Sequence, residues 1–183
     1  MPWPFNHFRK PQLTPRGTID AIYGMIVTQA REPLFYRDLG VPDTVNGRFD
    51  LIVLHLWTVL RRLGEMSGMA GPAQALFDRF CADMDHNLRE MAIGDLAVPK
   101  KMQAFGEAFY GRIAAYDMAL SESPEALAQA IRRNVLDGGS IENANRLAAY
   151  AISVIATLER LDGQALADAS WSFPLPQVDA VSP

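Results

Sequence analysis

Cysteine is nearly missing from this chain: Cys81 stands alone among 183 residues. No intramolecular disulfide can form, so a disulfide-stapled secreted fold is excluded. Histidine is scarce as well, and three of them beside one cysteine make a tetrahedral zinc site hard to assemble. Neither the G-x-x-x-x-G-K-S/T phosphate loop nor the G-x-S-x-G nucleophile elbow occurs. Long apolar runs are absent. The longest, Leu51 to Leu60, is broken by His55 and Thr58, well short of the roughly 20 residues that span a bilayer. The N-terminus has no continuous apolar stretch of the secretory type, so a cytoplasmic location is the expectation. Basic excess is lacking too. A net charge of -4 argues against DNA or RNA as a main partner, because phosphate neutralisation needs a concentrated basic face. Sustained period-two alternation of β-branched residues is missing, which argues against strands.

What is present is helical rhythm. Ile19, Ile22, Tyr23, Ile26 and Val27 mark one buried face from Thr18 to about Arg31, where Pro33 stops the helix. A connector over 34–46 follows, with room for one turn at Leu34 to Leu39. The segment Arg48 to Met66 is apolar nearly all round, through Phe49, Leu51, Ile52, Val53, Leu54, Leu56, Val59, Leu60 and Leu63. Such a helix belongs in the centre, surrounded by others. Pro72, Pro99 and Pro124 then open three more helices at first-turn positions, and a last one runs from about Ile141 to Leu161. The spacing therefore predicts an all-α, compact multi-helix bundle of about six helices around a central apolar helix 48–66. Residues 1–17 read as an irregular arm, 18–162 as the helical domain, and 163–183 as a flexible, acidic, proline-containing tail.

Few residues suggest chemistry. Asp83 and His86 share a helix face at a spacing seen in half of a di-iron site, but the second Glu-x-x-His pair that such bundles need is missing. They read as part of a polar face, Cys81 as a small core residue, and His55 as a hydrogen-bonded core histidine. No metal or cofactor is expected, and no enzyme activity. Three features suit binding instead. One is the acidic band of Asp78, Asp83, Asp85, Glu90 and Asp95, followed by Lys100 and Lys101; the alternative is a solvated face. Another is the connector with Phe35, Tyr36, Arg37, Asp38 and Asp43, whose rings could equally plug the core. The third is the arm, where Trp3, Phe5 and Phe8 sit beside Arg9, Lys10 and Arg16, and no acid precedes Asp20. That mixture suits a membrane interface, although a plain disordered tail has similar composition.

Two long ordered strings go further. Leu34-Phe-Tyr-Arg-Asp-Leu-Gly-Val-Pro-Asp-Thr-Val-Asn-Gly-Arg-Phe-Asp-Leu51, continuing through Leu54-His-Leu-Trp57 and Leu60-Arg-Arg-Leu63, resembles the ubiquinol–cytochrome c chaperone family. Phe80-Cys-Ala-Asp-Met-Asp-His-Asn-Leu-Arg-Glu-Met91, Ile93-Gly-Asp-Leu-Ala-Val-Pro-Lys-Lys-Met102 and Gly106-Glu-Ala-Phe-Tyr-Gly-Arg112 agree with it. The resemblance spans residues 18–160 and leaves out arm and tail. It implies an all-helical assembly factor for ubiquinol–cytochrome c reductase, respiratory complex III. In the mitochondrial branch the family acts on newly made cytochrome b, near the ribosome and with a small partner subunit. This short chain resembles a bacterial version, peripheral to the inner face of the cytoplasmic membrane.

A chaperone for a membrane subunit needs no catalytic group; it needs a surface that holds an apolar client reversibly. The expected client-binding residues are Asp83, Asp85, His86, Arg89, Glu90 and Asp95, with Lys100 and Lys101 at the rim and Met84, Met91 and Met102 offering adaptable apolar contact. The expected membrane contacts are Trp3, Phe5, Phe8, Arg9 and Lys10. Three rival readings compete: a peripheral membrane adaptor working through the arm, a small helical metal or quinone enzyme using Asp83 and His86, and a dimeric structural protein.

Overall fold

The computed structural model describes residues 16–91, 93–94 and 96–177. Those residues form an all-α bundle. Six helices have eleven or more residues: α1 (Arg16–Ala30), α3 (Val45–Glu65), α4 (Ala70–Glu90), α5 (Val98–Glu122), α6 (Pro124–Asn134) and α7 (Ile141–Glu159). Two five-residue helices, α2 (Pro33–Arg37) and α8 (Gly163–Ala167), sit in the connections.

Local chemistry sets the boundaries. Prolines open α2, α5 and α6, where the missing N–H would have had no intrahelical partner. Side-chain caps start α3, α6, α7 and α8: Thr44 accepts from the Gly47 amide at 3.1 Å, Ser123 from Ala126 at 3.1 Å, Ser140 from Asn143 at 3.3 Å and Asp162 from Ala165 at 2.8 Å. The central helix begins at Val45, three residues earlier than the sequence spacing predicts. Asn46-Gly47 lies in its first turn instead of a loop, because Thr44 caps it. Gly47 is needed there for space: a Cβ at this position would collide with the Pro42 carbonyl.

α3 is the hub. Every residue from Phe49 to Val59 is buried, and the helix packs against α1, α4, α5 and α7, while α6 bridges α5 and α7. Trp57, Leu51, Leu54 and Leu56 are at most 1% exposed, each contributing about 1.5–3 kcal/mol of burial. The Asp50 carboxylate goes inside with them and pairs with Arg112 of α5 at 2.7 Å. Burial pushes Asp50 up to about 6 even against the pull of that guanidinium.

The expected flexible tail does not describe residues 163–177. Leu166 and Phe173 are buried, and the Phe173 ring meets His55 edge-on at 5.2 Å. Gln29 Nε2 donates to the Pro174 carbonyl at 3.3 Å. Only Asp168, Pro174 and Pro176 in this stretch carry the acidic, proline-containing character of the tail, and Leu166, Trp171 and Phe173 anchor it without any helical period.

Candidate functional site

α3 faces two very different environments. On the α7 side, His55 Nδ1 lies 2.7 Å from the Leu51 carbonyl, and Nε2 lies 2.8 Å from the Tyr150 hydroxyl. Gln29 Nε2 donates to that same hydroxyl at 3.1 Å. The consistent assignment is a neutral imidazole protonated on Nδ1, with Tyr150 donating to Nε2. Burial holds the imidazole down to about 4. Phe35, Tyr150 and Phe173 surround its ring. Every nitrogen is satisfied, and His55 is the core histidine that its apolar setting suggested.

The opposite side is open. Between the end of α1, the start of α3, the end of α4 and the start of α5 lies a cavity of about 310 Å3. Phe49, Ile52, Met84, Leu88 and Phe105 form its floor, with the Phe49 and Phe105 rings 5.0 Å apart. Val45 and Met91 stand at its rim, 59% and 55% exposed, which is unusual for large apolar residues. The cavity runs on past Arg31, Tyr36 and Arg48 into a second opening lined by Pro33, Arg37 and Asp43. The two form one trough, with its basic end near α2 and Glu90 at its α4 wall.

The charges at the trough differ in how they are held. Arg48 pairs with Asp43 at 2.8 Å and Arg37 with Asp38 at 2.7 Å. Arg31 has no ion-pair partner among the described residues. The Tyr36 hydroxyl donates to the Ala30 carbonyl at 2.6 Å, tying α2 to the end of α1; burial raises its ionisation above the usual phenol range.

The structure divides the expected acidic cluster. Asp83 faces inward, accepting from the Tyr23 hydroxyl of α1 at 2.8 Å and lying 3.7 Å from Arg79. Burial and this carboxylate drive the Tyr23 phenol far above its ordinary range. Asp83 is thus a joint between α1 and α4, and its partner lies sixty residues away. Asp85 and Arg89 pair at 2.7 Å, and His86 and Glu90 at 3.1 Å, as helix-neighbour pairs on the outer face. The Arg89 guanidinium holds Asp85 below the usual carboxylate range. Lys100 and Lys101 are exposed on the first turn of α5. Of the expected residues that the structure describes, only Glu90 lines the trough, with Met84 beneath and Met91 beside it; Met102 packs against the core. Asp95 and the arm residues Trp3, Phe5, Phe8, Arg9 and Lys10 lie outside the described residues.

The connector and the acidic helix, two separate candidates in the sequence, therefore meet at one place. Missed were Arg31, Val45, Arg48, Phe49, Ile52 and Phe105 as lining groups. Val45, Arg48 and Phe49 do fall in the same family-like string as the connector.

A second cleft of about 250 Å3 lies farther along α3, lined by Trp57, Leu60, Phe77, Phe109, Tyr110 and Ile113. Its charges answer one another: Arg61 reaches Glu65 at 3.1 Å and Asp117 at 3.6 Å, and Trp57 Nε1 donates to Asp117 at 2.8 Å. Among the described residues no three His, Cys, Asp or Glu side chains cluster to hold a metal, and no helix is long and apolar enough to cross a membrane.

Similar proteins share this framework. The profile of the family described as Ubiquinol-cytochrome C chaperone matches residues 37–173, which takes in the starts of α3 and α5, the end of α4 and the Phe173 anchor. The chain is 28% identical over 155 residues to ubiquinol-cytochrome-c reductase complex assembly factor 1 of Xenopus laevis, covering 81% of this chain and 76% of the frog protein. It is 28% identical over 151 residues to the mitochondrial protein CBP3 of Saccharomyces cerevisiae, covering 79% of this chain but only 45% of the yeast protein. The crystal structure of the Cbp3 homolog from Brucella abortus matches at a TM-score of 0.81 and 36% identity, over 91% of this chain and 94% of that one.

Proposed function

Because this chain belongs to the ubiquinol-cytochrome C chaperone family, we propose that it promotes assembly of ubiquinol–cytochrome c reductase by holding newly made cytochrome b. The observation that carries this reading is the trough, with its apolar floor, the exposed Val45 and Met91 at its rim, and charge on both margins. Such a surface holds an apolar segment without reacting with it. Methionine suits a changing client because its flexible thioether repacks at little cost. The hold is reversible because the trough is shallow and small; a tight, permanent interface buries far more surface. In this reading the protein is not an enzyme, and the His55 network serves the fold alone.

We place the protein at the inner face of the cytoplasmic membrane, where its client is inserted. Aromatics interleaved with cations in the arm support that placement, since rings settle at headgroup level and cations meet anionic lipid.

The test is a cell lacking this protein, complemented with wild type or with a Val45→Asp, Met91→Lys double variant. Asp at the first turn of α3 and Lys at the end of α4 both agree with the helix dipoles, so the fold should hold. The variant should accumulate as wild type does, while assembled reductase and b-type haem fall to the level of the deletion. Full reductase in the deletion strain, or in the variant, would remove the proposal.

A further inference from the structure

The trough is electrically lopsided. Its α2 end carries Arg31, Arg48 and Arg37, two of them bound to aspartates, while its α4 wall carries Glu90. Arg31 is the one trough cation with no ion pair among the described residues. It stands at residue 31, immediately past the end of α1, and it borders both openings.

We infer that the trough takes a polypeptide segment of defined polarity: an apolar stretch with a carboxylate at the end that meets Arg31. This rests on the client-holding reading above and adds the chemistry that selects among apolar segments. Apolar burial alone cannot do that, since one hydrophobic stretch fits such a floor about as well as another. A charge pair at the margin supplies the discrimination, and like charge at the same place rejects. Arg31 is suited to the role because a carboxylate meets its planar fork without displacing an existing partner. Arg48 requires the incoming group to compete with Asp43. At the other end, Glu90 favours a segment that carries a cation beyond its apolar part.

The same arginines could face an anionic bilayer, but the surroundings disfavour it. Asp43 and Glu90 line the opening, Asp38 is paired with Arg37 beside it, and Asp85 lies one turn before Arg89 on α4. A negative lipid surface would be repelled by these groups, whereas a single carboxylate between arginines would not.

The experiment uses the full-length protein and three labelled, end-blocked peptides with one common apolar core of leucine and phenylalanine. The parent carries Glu at one end and Lys at the other; the second has Gln for Glu, and the third has Gln for Lys. Binding to wild type should weaken about tenfold on Glu to Gln, and less on Lys to Gln. With Arg31→Gln the Glu to Gln step should have no effect, and with Arg31→Glu the preference should invert. Added salt should shrink the wild-type difference. Equal binding of all peptides to wild type overturns the polarity and leaves the client-holding trough standing. A Glu effect that survives Arg31→Gln overturns the assignment to Arg31. Failure of every peptide to bind, or binding unaffected by Val45→Asp with Met91→Lys, overturns the polarity and the trough together. Flotation with phosphatidylglycerol vesicles completes the test: vesicle binding lost with Arg31→Gln, and peptide binding unchanged, would assign Arg31 to the membrane and overturn the inference.

Discussion

The two sides of α3 are finished in opposite ways. Toward α7, an imidazole, a phenol and an amide lie together, and both His55 ring nitrogens, the Tyr150 hydroxyl and the Gln29 amide nitrogen are hydrogen-bonded. Toward α4 and α5, apolar side chains stand in the open beside Arg31, a cation with no ion pair among the described residues. The residues best equipped for chemistry are therefore spent on stability, and the surface left open is suited to contact. That contrast, and not the scarcity of catalytic motifs, is the structural argument for a holding protein.

The closed side should show the largest effects on folding. Phe35 is fully buried and meets both His55 and Tyr150 ring to ring, so Phe35→Ala should cost about 3–5 kcal/mol, read by denaturant or thermal unfolding. A change under about 1 kcal/mol would mean that the network can do without its lid.

His55 adds a pH dependence of known sign. Its folded value, about 4, lies below the ordinary 6.5, so the unfolded chain binds the proton first as pH falls. The contribution is complete above pH 6.5 and is lost as pH falls toward 4, amounting to about 3 kcal/mol. His55→Gln lacks this term, so the stability gap between wild type and variant should narrow from pH 7 to pH 4. A constant gap would contradict a buried neutral imidazole.

The Asp50–Arg112 pair behaves in the opposite sense. Asp50 is raised from 3.8 to about 6, so the folded state holds the proton longer, and its contribution declines as pH rises through that window. Arg112→Ala raises Asp50 further. The variant should lose about 1–3 kcal/mol at pH 7.5 and clearly less at pH 5, as measured by unfolding at both pH values.

The smallest stability effect belongs to the outer face of α4. Asp85 and Arg89 form an exposed pair, and replacing both with Ala should leave the melting temperature unchanged, because such pairs contribute little. The same variant should lower mature reductase if the face next to Glu90 guides the client. Normal assembly would confine the site to the trough.

The helices were readable because burial leaves a 3.6-residue rhythm and proline marks their starts; Ile19 to Val27 and the all-round apolar α3 are cases in point. The site was only half readable. Periodicity says which face of a helix is buried but not which distant face lies opposite, so nothing in the rhythm of α4 reveals that Tyr23 of α1 donates to Asp83. Arg31, Val45, Met84 and Phe105 come from four separate stretches, and only tertiary packing gathers them. In the last segment, Phe173 is held between the His55 and Trp171 rings, isolated contacts that leave no repeating pattern to read.

Site-specific photo-crosslinking in cells making cytochrome b tests the central claim most directly, with the reactive group placed in turn at Val45, Met91 and, as a control near the far end of α5 from Phe105, the exposed Met118. The account predicts cytochrome b adducts from Val45 and Met91 and none from Met118. Adducts from Met118 alone, or no cytochrome b adduct at the trough while the protein still supports assembly, would contradict it.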